Sequence, residues 1–474
     1  MDKNKFYEIL EKNFGHKPND KQQVVIKALS DFLTTEAPNS VFILKGYAGT
    51  GKTTIIKTLV KSLGQLKKKT VLIAPTGRAA KVVTSYAKSK ASTIHHKIYF
   101  ANSQKGGVVK FTLQKNNQKN TVYIVDEASM ISNASSGDSR LFESGSIMED
   151  LFSYIFSHHS NRLIFIGDVA QLPPVNSHNS PALNRDSVTL FTDGEVREVE
   201  LDNVVRQATH SGILYNATII REQLQHNRKL FRFNIGNFRD IQRLQDSYEI
   251  ENAIVDSYEK YGKEDTCIIV YSNKTANLYN KQVRTKILEF DSEIVVGDYL
   301  MVVKNNYFWL PENSESGFIA NGDIVRVEAI KSFKNLYGFR FAEVTIKLLD
   351  YPNQPPFDTV LLLDTIESVS PSLSYEDNNR LYTEVMEDYD NEPSKYKKFM
   401  KVKKNRYYNA LQVKFSYAIT CHKAQGGQWR SVIVQQSYLP EGVTQQYLRW
   451  LYTAVTRASE QLYLVGFKND FFHD

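Results

Sequence analysis

Hydrophobic positions in the first 200 residues come in short continuous runs rather than in alternation. SVFILKG (40–46), TVLIAPT (70–76), TVYIVDE (121–127) and RLIFIGD (162–168) are largely apolar, and each ends in small, polar or acidic residues. Runs without a solvated face suit strands covered on both sides of a parallel sheet, and helical patterns separate them. The expectation is an α/β fold with a doubly wound parallel sheet whose strand C-termini carry the chemistry. A second α/β rhythm begins near residue 200 and includes the buried-strand pattern TCIIVYS (266–272).

Other stretches break this rhythm. Between His95 and Thr121, apolar positions alternate on both sides of Gly106 and Gly107, which predicts a β-hairpin with a Gly-Gly turn. Residues 91–125 contain no Asp or Glu but include Lys97, Lys105, Lys110, Lys115 and Lys119, so the hairpin reads as a positively charged protrusion; a solvated loop is the plainer alternative. The Ser- and Gly-rich stretch 132–146 reads as a mobile loop. From about 294 to 370 short alternating strands such as YLMVVKN, DIVRVEAI and AEVTIKLL predict a small β-barrel inserted into the second α/β unit. Acidic residues from Glu376 to Glu392 then give way to Lys395, Lys397, Lys398, Lys401, Lys403, Lys404 and Arg406. That segregation predicts a solvated helical arm at 375–406, or a nucleic-acid contact by its basic half.

Composition narrows the class. A chain of 474 residues, 42% hydrophobic, can bury several cores. Its 59 Lys and Arg against 52 Asp and Glu give a net charge of +7, which permits a polyanionic partner without demanding one. Cys267 and Cys421, the two cysteines, have no metal-binding or disulfide spacing. The N-terminus lacks an apolar signal region and nowhere do 18 apolar residues run together, so a soluble, cytoplasmic protein with no membrane partner is expected.

The strand VFILKG runs into Gly46-Tyr47-Ala48-Gly49-Thr50-Gly51-Lys52-Thr53, with Thr54 opening a helical pattern, and so satisfies G-x-x-x-x-G-K-[ST] in its required context. Average residue usage would produce the pattern by chance only on the order of 0.01 to 0.02 times in such a chain. Glycines let the backbone wrap phosphates, Lys52 meets the β- and γ-phosphates, and the Thr53 hydroxyl ligates Mg²⁺. The strand ending in Asp126 and Glu127 supplies the matching acidic pair: Asp126 for the metal, Glu127 for the attacking water. These elements imply hydrolysis of a nucleoside triphosphate with Mg²⁺.

Further motifs occur in a fixed order. They are Gln22 upstream of the P-loop, APTGRAAK (74–81), STIHH (92–96), GDVAQLPPV (167–175), ELDNVVRQ (200–207), AITCHKAQGGQW (418–429) and YTAVTRA (452–458). Together they resemble superfamily 1B helicases of the RecD-like and phage Dda-like group over nearly the whole chain. The resemblance implies two RecA-like P-loop domains that sandwich ATP, with Gln22 reading adenine, Gln171 sensing the γ-phosphate, and Arg206 and Arg457 stabilising the transferring phosphoryl group. It assigns Gly46, Ala48, Gly49, Thr50, Gly51, Thr53, Thr54 and Gly426 to ATP as well. DNA contacts are expected at Thr76, Arg78, Thr420, His422, Lys423 and Gln425, small polar or basic groups suited to phosphates, and also at Pro75 and His95, with Phe111 as the ring of a strand-separating pin. Phe100, Trp309 and Trp429 are further candidate stacking rings.

The implied organisation is a first RecA-like domain (1–200, domain 1A) with a hairpin insert (97–119, domain 1B), and a second (201–293 and 407–474, domain 2A). An SH3-like barrel with its charged arm (294–406, domain 2B) interrupts the latter. The implied function is an ATP-dependent DNA helicase moving on single-stranded DNA, 5′ to 3′ by resemblance alone. ATP and Mg²⁺ would be its cofactors, single strands and single-strand/duplex junctions its substrates, and replication, recombination or repair proteins its partners. An RNA-directed helicase and a nucleic-acid-stimulated ATPase clamp that does not unwind are the alternatives.

Overall fold

The computed structural model describes residues 2–103, 109–133, 146–175, 177–203, 211–236, 238–311, 314 and 318–473; of 101–103 and 109–111 the backbone alone is described. The four apolar runs become strands Val41–Gly46, Lys69–Ala74, Thr121–Val125 and Arg162–Gly167 of one parallel sheet. Ala91–Thr93 and Val196–Leu201 form its edges, and the P-loop strand lies between Arg162–Gly167 and Val196–Leu201. Continuous hydrophobicity has the expected cause. Phe42 and Leu44 enter a core with helices Lys3–Phe14, Asp20–Thr34 and Lys52–Ser62, while Val41 and Ile43 enter another with helix Ile147–Phe156.

The hairpin pairs Tyr99–Ser103 antiparallel with Val109–Leu113, Tyr99 opposite Leu113. Its Gly106-Gly107 turn and the Phe111 side chain lie outside the described residues, as does most of the loop at 132–146. A second parallel sheet is ordered Ala418–Thr420, Thr266–Val270, Trp429–Gln435, Ala458–Val465, Ile241–Leu244.

Between the segments of that sheet sits a closed five-stranded barrel: Tyr299–Val302, Ile324–Leu336, Phe339–Leu348, Phe357–Leu362 and Leu411–Phe415. It differs from the expectation in two ways. Its central hairpin has strands of 13 and 10 residues instead of short ones, joined at Tyr337 and Gly338, both at positive φ as a tight two-residue turn requires. Its last strand carries the barrel past the expected boundary at 406.

The charged arm is also corrected. It folds into helices Tyr375–Glu387 and Lys395–Lys404, and Leu381, Val385 and Val402 bury against Phe339, Phe341, Val360 and Leu362 of the barrel. Charges segregated in sequence meet in space, as Lys398 pairs with Asp390 and Lys401 with Glu392 at 3.1 Å. Such exposed pairs contribute little, about 0–1 kcal/mol each, so the apolar stripe is what docks the arm. Among the described residues no helix is long and apolar enough to cross a membrane.

Candidate nucleotide and nucleic-acid site

The P-loop leaves its strand at Gly46, where a Cβ would come within 2.7 Å of the Lys52 stem; only glycine lets the lysine fold back there. Gly49 and Gly51 have φ of +73° and +102°, and Gly51 caps helix Lys52–Ser62. Lys52 Nζ donates to the carbonyls of Gly46 (2.6 Å) and Tyr47 (2.9 Å) and lies 3.9 Å from Asp168. Gln22 is buried and its amide donates to the Thr50 carbonyl at 3.1 Å, while its oxygen accepts from Asn19 N–H. In this state it braces the P-loop rather than presenting a free amide. Thr53 is exposed at the helix start and Thr54 half-buried beside it.

Asp126 and Glu127 follow the end of strand Thr121–Val125. Glu127 has φ +52°, a left-handed conformation uncommon for a residue with a side chain. Asp126 is held from two sides, its Oδ1 accepting from Glu127 N–H (2.9 Å) and its Oδ2 from the Tyr86 hydroxyl (2.7 Å). Burial pushes both carboxyls above their usual range; Arg457 opposes this at Glu127, and Tyr86 opposes it at Asp126.

The second sheet closes the site from the other side. Helix Gln445–Val455 places the Tyr452 hydroxyl between the two units, donating to Asp168 Oδ2 (2.6 Å) and accepting from Ala48 N–H (2.9 Å). Thr453 Oγ1 accepts from Leu172 N–H (2.8 Å), and Arg449 donates to the carbonyls of Val169 and Gln171. Arg457 is buried, anchored on the carbonyls of Thr453 and Gly427 (3.1 Å each), and its Nη1 reaches within 3.9 Å of Glu127 Oε1. Gln171 is buried with its side-chain oxygen unpartnered among the described residues. Arg206 lies outside the described residues.

The donor set fits Mg²⁺. Among the described residues no group of three or more His, Cys, Asp or Glu forms a metal cage. Mg²⁺ uses one or two carboxylates with substrate phosphates and waters rather than a full protein cage, and Asp126 with Thr53 offers that kind of hard-oxygen set.

The expected DNA contacts divide. Pro75, Thr76 and Arg78 are half-buried at the start of helix Gly77–Ala87, where the Thr76 hydroxyl caps Ala79 N–H at 3.2 Å. Arg78 stacks 3.9 Å over the buried Trp429, so Trp429 is an interdomain packing ring in this state and not a free base platform. Thr420 and Lys423 are half-buried and His422 is exposed. Three others make structural contacts in this state. Gln425 is buried and donates to the Leu172 carbonyl (2.6 Å), bracing the loop after Asp168. Gly426, expected at ATP, has Ala79 and Thr76 as its nearest neighbours, with φ +72°. His95 is half-buried, and burial pushes its pKa down to about 4, which favours the neutral imidazole. Of the other rings, Phe100 is exposed, whereas Trp309 donates to the Asn409 carbonyl at 2.8 Å. Cys267 and Cys421 are buried free thiols.

Known proteins resemble this chain in sequence over most of its length. A family model described as an AAA domain matches residues 18–230, and one described as a UvrD-like helicase C-terminal domain matches 415–465. An uncharacterized protein of Acanthamoeba polyphaga mimivirus is 28% identical over 94% of this chain and 99% of its own. The ATP-dependent DNA helicase dda of Enterobacteria phage T4 is 24% identical over 89% of this chain and 93% of its own. These matches support the resemblance to superfamily 1B helicases. A Pif1 helicase from Bacteroides, solved with ADP-AlF3 and ssDNA, is 14% identical, with a TM-score of 0.46 over 94% of this chain and 93% of that one.

Sequence reasoning missed the residues that join the two units. Arg449, Tyr452 and Thr453 lie on helix Gln445–Val455, which ends just before Arg457, and they are at the i, i+3, i+4 spacing of one helical face. That spacing was the available signal. Tyr86 had none, because its partner lies 40 positions away, and the motif that contains Asp168 gave no sign of its partner Tyr452, 284 positions on.

Proposed function

We propose that the protein is an ATP-dependent DNA helicase that moves 5′ to 3′ on single-stranded DNA and separates duplex strands by hydrolysing ATP between its two α/β units. The observation that carries this reading is the approach of Arg457, from the second unit, to Glu127 in the first, 3.9 Å across the cleft. A cation supplied across a closing interface stabilises phosphoryl-transfer charge only when the units are shut, which ties hydrolysis to domain motion. Similarity to dda, itself an ATP-dependent DNA helicase, supports the same substrate class.

In this mechanism the P-loop N–H groups and Lys52 hold the phosphates, and Lys52 exchanges its contacts with the Gly46 and Tyr47 carbonyls for them. Glu127 orients the attacking water and accepts its proton; the unpartnered Gln171 oxygen is an acceptor for the same water. Mg²⁺, held through Asp126 and Thr53, would neutralise phosphate charge. Arg457, with Arg206 as a second arginine, then meets charge developing on the transferring group. We assign residues 1–200 to the first RecA-like unit with the basic hairpin (97–119) as its pin. Residues 201–293 and those after 415 form the second unit, and the barrel with its arm lies between them.

The direct test compares ATP hydrolysis without nucleic acid, with single-stranded DNA and with RNA. Stimulation by DNA well above that by RNA is expected; preference for RNA would move the protein to the RNA-directed class, and no stimulation by either would contradict the helicase reading. A second expectation concerns pH. Burial pushes Lys423 down to about 8, so its charge is present below that pH and lost above it. Affinity for an oligonucleotide, followed by fluorescence anisotropy at constant ionic strength, should fall as pH rises through about 8. Lys423→Arg should flatten that fall, because a guanidinium stays charged. Lys414, also lowered to about 8, binds the carbonyls of Thr365 and Ser368 and would leave a smaller residual slope.

A further inference from the structure

Tyr86 takes no part in the mechanism above, yet it touches the carboxylate assigned to the metal. It is the penultimate residue of helix Gly77–Ala87, and its hydroxyl donates to Asp126 Oδ2 at 2.7 Å. Burial and the Asp126 charge push its phenol pKa up, so the hydroxyl keeps its proton and remains a donor. With Glu127 N–H on Oδ1, both oxygens of Asp126 are committed to one orientation.

The other end of this helix lies where the units meet. Arg78 stacks on Trp429, and Thr76 and Ala79 abut Gly426, with Trp429 and Gly426 both in the second unit. On the barrel side, Lys81 pairs with Asp350 at 3.4 Å, and a Cβ on Gly77 would come within 2.6 Å of Asp323 and Tyr351. Ala79, Ala80, Val83 and Ala87 are buried along the helix, so it is seated as one body about 16 Å long at 1.5 Å per residue. A phosphate backbone engaging Thr76 and Arg78 must disturb these contacts at one end of a body whose other end holds Asp126.

We propose that Tyr86 is a positioning residue that sets the orientation of Asp126 for the divalent cation and couples it to occupancy of the nucleic-acid track at Thr76 and Arg78. This rests on reading Asp126 as the cation-side carboxylate. Donors of this kind, one step removed from the metal, orient a ligating group, and losing one costs roughly tenfold or more in metal affinity.

The test is Tyr86→Phe, which keeps the ring and removes only the hydroxyl. Mn²⁺ binding to the full chain with a non-hydrolysable ATP analogue is measured by electron paramagnetic resonance, alongside ATP hydrolysis over a range of Mg²⁺ concentrations with and without single-stranded DNA. Expected are Mn²⁺ binding about tenfold weaker, a parallel rise in the Mg²⁺ needed for half-maximal rate, weaker DNA stimulation at limiting Mg²⁺, and unchanged oligonucleotide affinity in the absence of nucleotide and divalent cation. Unchanged Mn²⁺ affinity would overturn the proposal, and so would equal losses of Mn²⁺ and oligonucleotide binding, which would mark a packing role. If the unsubstituted protein showed no DNA stimulation, the helicase reading would fail while the Mn²⁺ titration still decided the role of Tyr86 at Asp126.

Discussion

Lys52→Ala should all but abolish ATP hydrolysis, lowering DNA-stimulated turnover by a hundred- to about a thousandfold, the scale of removing one preorganised donor from a charged transition state. The Lys52 ammonium sits on the carbonyls of Gly46 and Tyr47 and faces the buried Asp168. Asp168 keeps the Tyr452 hydroxyl and Ala170 N–H when the lysine is gone, so the fold should survive. Steady-state ATPase assays with a thermal melt check both halves. Full activity in a folded Lys52→Ala protein would show that phosphate chemistry occurs elsewhere.

Glu127→Gln should separate binding from chemistry. The amide fills the same space and still faces Arg457, but it cannot take a proton from water. Nucleotide binding should be retained while turnover falls by roughly a hundred- to ten-thousandfold, the range attributed to a positioned general base. Stability should move the other way. The folded pKa of Glu127 is raised by burial and by Asp126, so ionisation is costlier in the folded chain than in the unfolded one, and that cost is present above the folded pKa. An uncharged amide at this position removes it, so the variant should melt no lower than the parent at neutral pH. A lower melting temperature with normal turnover would contradict both expectations.

The parts of the molecule that were legible in sequence are those where a residue type has one physical use. The P-loop glycines are needed for positive φ and for the Lys52 stem, and fully apolar strands are needed in a sheet covered on both faces. Elsewhere the same letters served other ends. Leu411–Phe415 closes the barrel with Gln412 and Lys414 buried among its apolar residues, so its pattern hid a strand buried throughout. The arm's charges drew attention from Leu381 and Val385, four apart on one helical face, which seat it on the barrel. Gln425 and Gly426 sit in a motif expected to touch ligands, but here they pack the two units together. Tyr452 and Arg78 gain their meaning only from partners that folding brings near.

The central claim is that closure of the two units on ATP drives strand separation. Its most direct measurement is unwinding of duplexes bearing a 5′ or a 3′ single-stranded tail, with and without ATP and Mg²⁺. Strand separation that requires ATP and proceeds from the 5′-tailed substrate is expected. Unwinding only from the 3′ tail would contradict the direction of travel, and no unwinding of either, despite DNA-stimulated hydrolysis, would make the protein an ATPase clamp.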